Sequence, residues 1–142
     1  MDKYVISSIS CDGYERYANI KNSNGMNLTV HFFEYDEYID YNKISFKKKK
    51  GDNIAGTLSI DMVSISKVCS RPKMFKQEIF NSSHIKAIVE VISIKDPYSI
   101  FALTTITNTP ILVEFEGKVM YNVHERIYIE GSLEIDIISE ES

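Results

Sequence analysis

From Ile127 to Ile137 apolar and polar residues alternate without a break: Ile127, Ile129, Gly131, Leu133, Ile135 and Ile137 against Tyr128, Glu130, Ser132, Glu134 and Asp136. A period of two over that length describes a strand with one face in a core and the other, acidic face in water. The pattern has a twin, in which Ile54, Gly56, Leu58, Ile60 and Met62 alternate with Ala55, Thr57, Ser59 and Asp61. The run Gly56-Thr57-Leu58-Ser59-Ile60-Asp61-Met62-Val63-Ser64 returns as Gly131-Ser132-Leu133-Glu134-Ile135-Asp136-Ile137-Ile138-Ser139, an offset of 75. Upstream, Val30-His31-Phe32 answers to Val113-Glu114-Phe115 at an offset of 83. Asp12-Gly13-Tyr14 with Tyr17-Ala18 answers to Asp96-Pro97-Tyr98 with Phe101-Ala102 at 84. Offsets that hold steady and then step down describe two copies of one unit, with a length difference in one connection.

Each copy reads as strand, turn, strand, turn, strand, connection, strand. The turn pairs Asp12-Gly13 and Asp96-Pro97, then Asn22-Ser23-Asn24-Gly25 and Thr107-Asn108-Thr109-Pro110, fall in register. Gly56 and Gly131 stand mid-strand, where a glycine weakens a flat strand but permits a bulge or a sharp coil. The linker is expected to hold one short helix around 73–81, started by Pro72, with Met74, Phe75, Ile79 and Phe80 as its apolar stripe. The expectation is an all-β fold of antiparallel strands. It comprises a first repeat over 1–66, a linker over 67–86 and a second repeat over 87–142. At 142 residues neither copy alone buries much core, so the two are expected to pack as one body.

The residues from Ala87 to Ile138 resemble the core of an oligonucleotide/oligosaccharide-binding (OB) fold, of the kind seen in single-stranded-DNA-binding proteins. The similar features are a long first strand, an Asp-Pro turn, a Val-Glu-Phe third strand and the closing strand Arg126-Ile127-Tyr128-Ile129-Glu130-Gly131-Ser132-Leu133. In the first copy Lys50-Gly51-Asp52-Asn53-Ile54-Ala55-Gly56-Thr57-Leu58 resembles the same closing strand. The resemblance implies OB-like architecture, either as two minimal barrels packed together or as one larger barrel or sandwich that pools the strands of both copies.

Several classes are set aside. No apolar run approaches the ~18 residues of a membrane span. The first residues lack a basic stretch followed by an apolar one, so a cytoplasmic location is expected. Cys11 and Cys69 form no C-x-x-C pair and read as thiols in a reducing compartment. No nucleophile elbow, phosphate loop or dinucleotide fingerprint occurs. His31, His84 and His124 stand outside any zinc spacing, and His31 and His124 read as solvent-facing. Asp61 and Asp136 recur in the two copies but fall on the polar side of their strands. The chain therefore reads as a binding protein and not an enzyme, with no metal and no cofactor.

The net charge of −4 conceals a split. Residues 1–86 carry 13 basic and 10 acidic side chains, and residues 87–142 carry 3 and 10. The first copy also holds eight extra residues, since 23 lie between Phe32 and Gly56 against 15 between Phe115 and Gly131. That stretch contains Glu34, Tyr35, Asp36, Glu37, Tyr38, Asp40 and Tyr41. Tyrosine supplies rigid amphipathic contact area and carboxylates steer a basic partner, so these residues are the expected docking surface for a basic protein. An acidic-aromatic patch on a small acidic protein is similar in general type to a bacterial immunity or inhibitor protein that neutralises a basic, nuclease-type toxin. The alternative is single-stranded nucleic acid. Lys47, Lys48, Lys49 and Lys50 would then track the backbone, with Tyr14, Tyr17, Phe101 and Tyr128 as stacking platforms.

Overall fold

The computed structural model describes residues 2–34 and 48–141, with side chains through Ile138. The strands are β1 (Asp2–Asp12), β2 (Glu15–Asn22), β3 (Asn27–Phe33), β4 (Asn53–Val68), β5 (Met74–Lys76), β6 (His84–Asp96), β7 (Ser99–Leu103), β8 (Ile111–Phe115) and β9 (Arg126–Glu141). They form one nine-stranded sheet in the order β1-β2-β3-β9-β4-β8-β7-β6-β5, and β1–β4 and β9–β6 pair in addition. The β1–β4 contact closes β1-β2-β3-β9-β4 into a ring, and the β9–β6 contact closes β4-β8-β7-β6-β9 into another. The two rings share the antiparallel β4–β9 pair, which explains why both strands run to 16 residues. The fold is all-β, as the alternation predicts.

Pairing registers correspond between the rings. Tyr4 lies opposite Ile54 as Ala87 lies opposite Ile129, and Asp2 lies opposite Gly56 as Ile85 lies opposite Gly131. His31 pairs with Glu134 and Leu112 pairs with Ser59. Leu112 therefore takes the place of His31, two residues before the Glu114 that sequence matching suggests. These last two contacts are parallel, which corrects the purely antiparallel expectation. The connection leaving β3 is too long for a hairpin, so β4 starts beyond β3's neighbour and β3 settles beside β9.

The helix expected around 73–81 does not form, and the described residues contain no helix. Met74 and Phe75 pair instead with Ile88 and Ala87, and Phe75 packs against the core. Strand pairing satisfies an edge of β6 that a helix would leave bare. Ile79 and Phe80 stay out of the interior, Phe80 with 87% of its surface exposed. Met62 is a second correction. It adopts φ 54° and is 52% exposed, while Val63 is buried in its place. The register between β4 and β9 shifts from Asp61 to Ile65, so the alternation slips by one residue there.

One contiguous cluster of buried side chains runs through both rings. It includes Ile6, Ile20 and Val30 of the first ring, Ile85, Ile100 and Val113 of the second, and Ile60 and Leu133 of the shared pair. The repeated glycines lie where the two shared backbones come closest. A Cβ on Gly56 would sit 2.6 Å from the carbonyl oxygen of Asp136, and one on Gly131 would sit 2.7 Å from that of Asp61. Register shifts lie at Ala55/Gly56 and at Asp61/Ile65, where Gly131 falls between the paired Glu130 and Ser132, in accord with the expected bulges.

Candidate functional site

A row of paired residues crosses six strands on the outer face of the sheet. Tyr17 of β2 pairs with His31, His31 with Glu134, Glu134 with Ser59, Ser59 with Leu112, and Leu112 with Phe101 of β7. Since side chains two apart on a strand share a face, Glu15, Phe33 and Asp136 flank this row on one side and Asp61 and Glu114 on the other. Within these three rows the strands contribute five carboxylates, Glu15, Asp61, Glu114, Glu134 and Asp136, and no lysine or arginine. Phe33, Phe101 and Ile138 are exposed. A groove of about 610 Å³ runs between β3 and β9, lined by Phe33, Glu34, Lys48, Glu134, Asp136 and Ile138 among others.

His31 forms the hub of this face. It is 5% exposed, with Nδ1 2.7 Å from Glu134 Oε1 and Nε2 3.1 Å from Glu15 Oε1. Its ring centroid lies 5.1 Å from that of Tyr17 and 4.9 Å from that of Phe33, the latter edge-on. The Ser132 hydroxyl donates to the other Glu134 oxygen at 2.7 Å. The solvent-facing expectation for His31 is thus corrected. Parity between the inward Val30 and Phe32 does point it away from the core, but side chains of β2 and β9 cover it there. His124, with φ 74° in a turn, is exposed as expected. Burial holds the Tyr17 hydroxyl above its ordinary pKa, aided by the negative charge of Glu15.

Glu34 is held rather than presented. Its Oε1 accepts from Nε of Arg16 at 3.3 Å, and its Oε2 accepts from the Lys48 backbone N–H at 2.9 Å. Arg16 is 2% exposed and also donates to the Gly13 carbonyl at 2.7 Å. One carboxylate therefore ties together both ends of the stretch that carries the acidic tyrosine-rich run. The other residues expected to meet a basic partner, Tyr35, Asp36, Glu37, Tyr38, Asp40 and Tyr41, lie outside the described residues, as does Lys47.

The lysine run and the stacking candidates do not gather into one site. Lys48 is half-buried with Nζ 3.9 Å from Glu34, Lys49 donates its backbone N–H to Asp52 at 2.9 Å, and Lys50 is exposed. Tyr14 sits in the β1–β2 turn, Tyr17 and Phe101 end the acidic row, and Tyr128 lies elsewhere on β9, beside Lys67. His31, Glu134 and Phe33 escape sequence reading because only the pairing of β3 with β9 joins them, and Arg16 escapes it because its partner Glu34 lies 18 residues away. The one available signal was the outward parity of Glu134 and Asp136 on the repeated strand.

Among the described residues no three His, Cys, Asp or Glu side chains are placed to hold a metal ion, and no helix is long and apolar enough to cross a membrane. Cys11 is exposed and Cys69 half-buried, and neither is bonded to the other. Comparison with known protein families, with curated proteins and with solved structures finds no match to this chain.

Proposed function

We propose that this protein is a non-catalytic binding module that docks a basic protein on its acidic sheet face, with Tyr35, Asp36, Glu37, Tyr38, Asp40 and Tyr41 contributing further acidic and aromatic contacts. The supporting observation is the three-row face itself. It carries five carboxylates, no strand lysine or arginine, and the aromatic rings of Tyr17, Phe33 and Phe101. Carboxylates raise the encounter rate with a positive surface, while exposed aromatic rings supply contact area that charge alone lacks. In this reading the two rings are OB-like barrels sharing a strand pair, and the occupant is of the nuclease-toxin type, with this chain as its inhibitor. A phosphate backbone would be repelled by this face, which sets nucleic acid aside here.

The test is the association rate of an immobilised basic ribonuclease and of an arginine-rich probe peptide at low salt. Wild-type protein is expected to bind both, more slowly as salt rises, and the Glu114→Lys/Asp136→Lys variant about tenfold more slowly or worse. Absence of binding at low salt, or an unchanged rate in the variant, overturns the reading.

A further inference from the structure

A second face carries the opposite charge. Lys67 of β4 pairs with Tyr128 of β9, Tyr128 with Ile88 of β6, and Ile88 with Met74 of β5. One step along the strands, Ile65 pairs with Glu130, Glu130 with Lys86, and Lys86 with Lys76. Arg71 joins them from the link after β4, and together they line a groove of about 730 Å³. Four cations from three strands and a link thus surround a floor made of Tyr128, Ile88 and Met74. Ile88 is buried although it lies outside the core cluster, so this floor is packed by its own neighbours.

The acids in this region are already engaged. Glu130 accepts from the Tyr128 hydroxyl at 2.9 Å and lies 3.6 Å from His84 Nε2, and Glu78 lies 3.0 Å from Lys86 Nζ. Among the described residues no carboxylate forms an ion pair with Lys67, Arg71 or Lys76. Lys67 Nζ stands 5.7 Å from the centroid of the Tyr128 ring. With neighbouring strands ~4.8 Å apart, the cations from β4 to β5 spread over ~14 Å. That span exceeds one phosphate group and suits an extended polyanion crossing the strands.

We infer that this groove binds single-stranded nucleic acid, with phosphates on Lys67, Arg71, Lys76 and Lys86 and a base on the Tyr128 floor. The apolar floor between the cations favours a strand with unpaired bases over a duplex, whose rings are stacked away, and over a bare polyanion, which has none. The site is independent of the acidic face and of the lysine run at 47–50.

The experiment is fluorescence polarisation of a labelled 12-nucleotide single strand, as DNA and as RNA, titrated with the full chain at several salt concentrations. Four phosphate contacts predict a log–log salt slope of about −3. Arg71→Gln/Lys76→Gln, at exposed positions, is expected to weaken binding at least tenfold with an unchanged melting temperature. Tyr128→Leu weakens it severalfold through lost stacking. Lys49→Gln/Lys50→Gln leaves it unchanged. Equal competition by the matching duplex, by inorganic polyphosphate or by phosphatidylserine vesicles would overturn the inference in favour of a general anion or membrane surface. So would binding that survives Arg71→Gln/Lys76→Gln, or no binding at low salt.

Discussion

Arg16 and Glu34 form a nearly buried ion pair across the β2–β3 end of the first ring, with Nε and Oε1 3.3 Å apart. The pair does more than join two strands, because the second Glu34 oxygen receives the Lys48 backbone N–H. Removing either side chain strands charge or donors in a site with little water. Arg16→Leu is expected to cost about 2–3 kcal/mol in urea unfolding, and Glu34→Gln, which keeps an acceptor, about 1 kcal/mol. Equal costs for the two would show that charge, and not the number of hydrogen bonds, sets the energy of the pair, and a costless Glu34→Gln would show that charge contributes nothing.

Backbone holds Gly56 and Gly131 to glycine first, since the atoms nearest an added Cβ are the carbonyl oxygens of Asp136 and Asp61, with Ile135 and Val63 side chains crowding next. Alanine at either position is expected to destabilise by about 1–3 kcal/mol, and valine by more. Thermal melting of the four variants checks both the size and its similarity at the two sites.

Met62 sits at φ 54° with an exposed side chain. A glycine there relieves left-handed backbone strain and loses little burial, so Met62→Gly is expected to hold or raise stability by up to about 1 kcal/mol. A glycine at the exposed Thr57, in regular strand, should lower it instead. Urea midpoints of Met62→Gly and Thr57→Gly distinguish the two cases.

Replacing the His31 ring by Phe preserves its shape against Tyr17 and Phe33 but removes both carboxylate contacts. The expected loss is about 1–3 kcal/mol, because Glu134 and Glu15 lose their shared partner. Heteronuclear NMR should show the disturbance spreading along the pairing row to Ser59. Shifts confined to β3 would contradict the hub role.

Stability should fall at high pH. Burial, reinforced by the Asp2 carboxylate, pushes the Tyr4 hydroxyl well above its ordinary value of 10.0. The folded state therefore keeps a proton that the unfolded chain releases. The stabilisation is complete below pH 10 and drains away as pH climbs toward the folded value. Tyr17 and Tyr128 are raised too, both mainly by burial, and add to the same decline. Tyr4→Phe should flatten part of the decline in a pH series of urea midpoints.

Much of the architecture was legible in the chain because strand alternation is local. Ile127, Ile129, Leu133 and Ile135 are buried where the period of two puts them, and the β1–β4 and β6–β9 pairings correspond at Gly56 and Gly131 although the β3 and β8 pairings do not follow the sequence match. The misses share a cause. Met74 and Phe75 fit a helical stripe or a short strand equally well, and only the unpaired edge of β6 decides between them. Met62 continues the alternation on paper, but the shift opposite Gly131 hands its place to Val63.

The amino-acid pattern carried the all-β class, two long alternating segments as its backbone, and a mid-strand glycine in each. Those follow from side-chain polarity and backbone conformation, which act between near neighbours. Tertiary structure alone decided that β4 and β9 would serve both rings and that β3 would lie beside β9. It also decided that Tyr17, His31 and Glu134 would meet in one row, while Lys67 and Tyr128 met in another with Lys86 in the row beside it. Pairing partners far apart in the chain are chosen by which closure buries the most apolar surface while leaving the fewest strand edges open, and no local pattern carries that information.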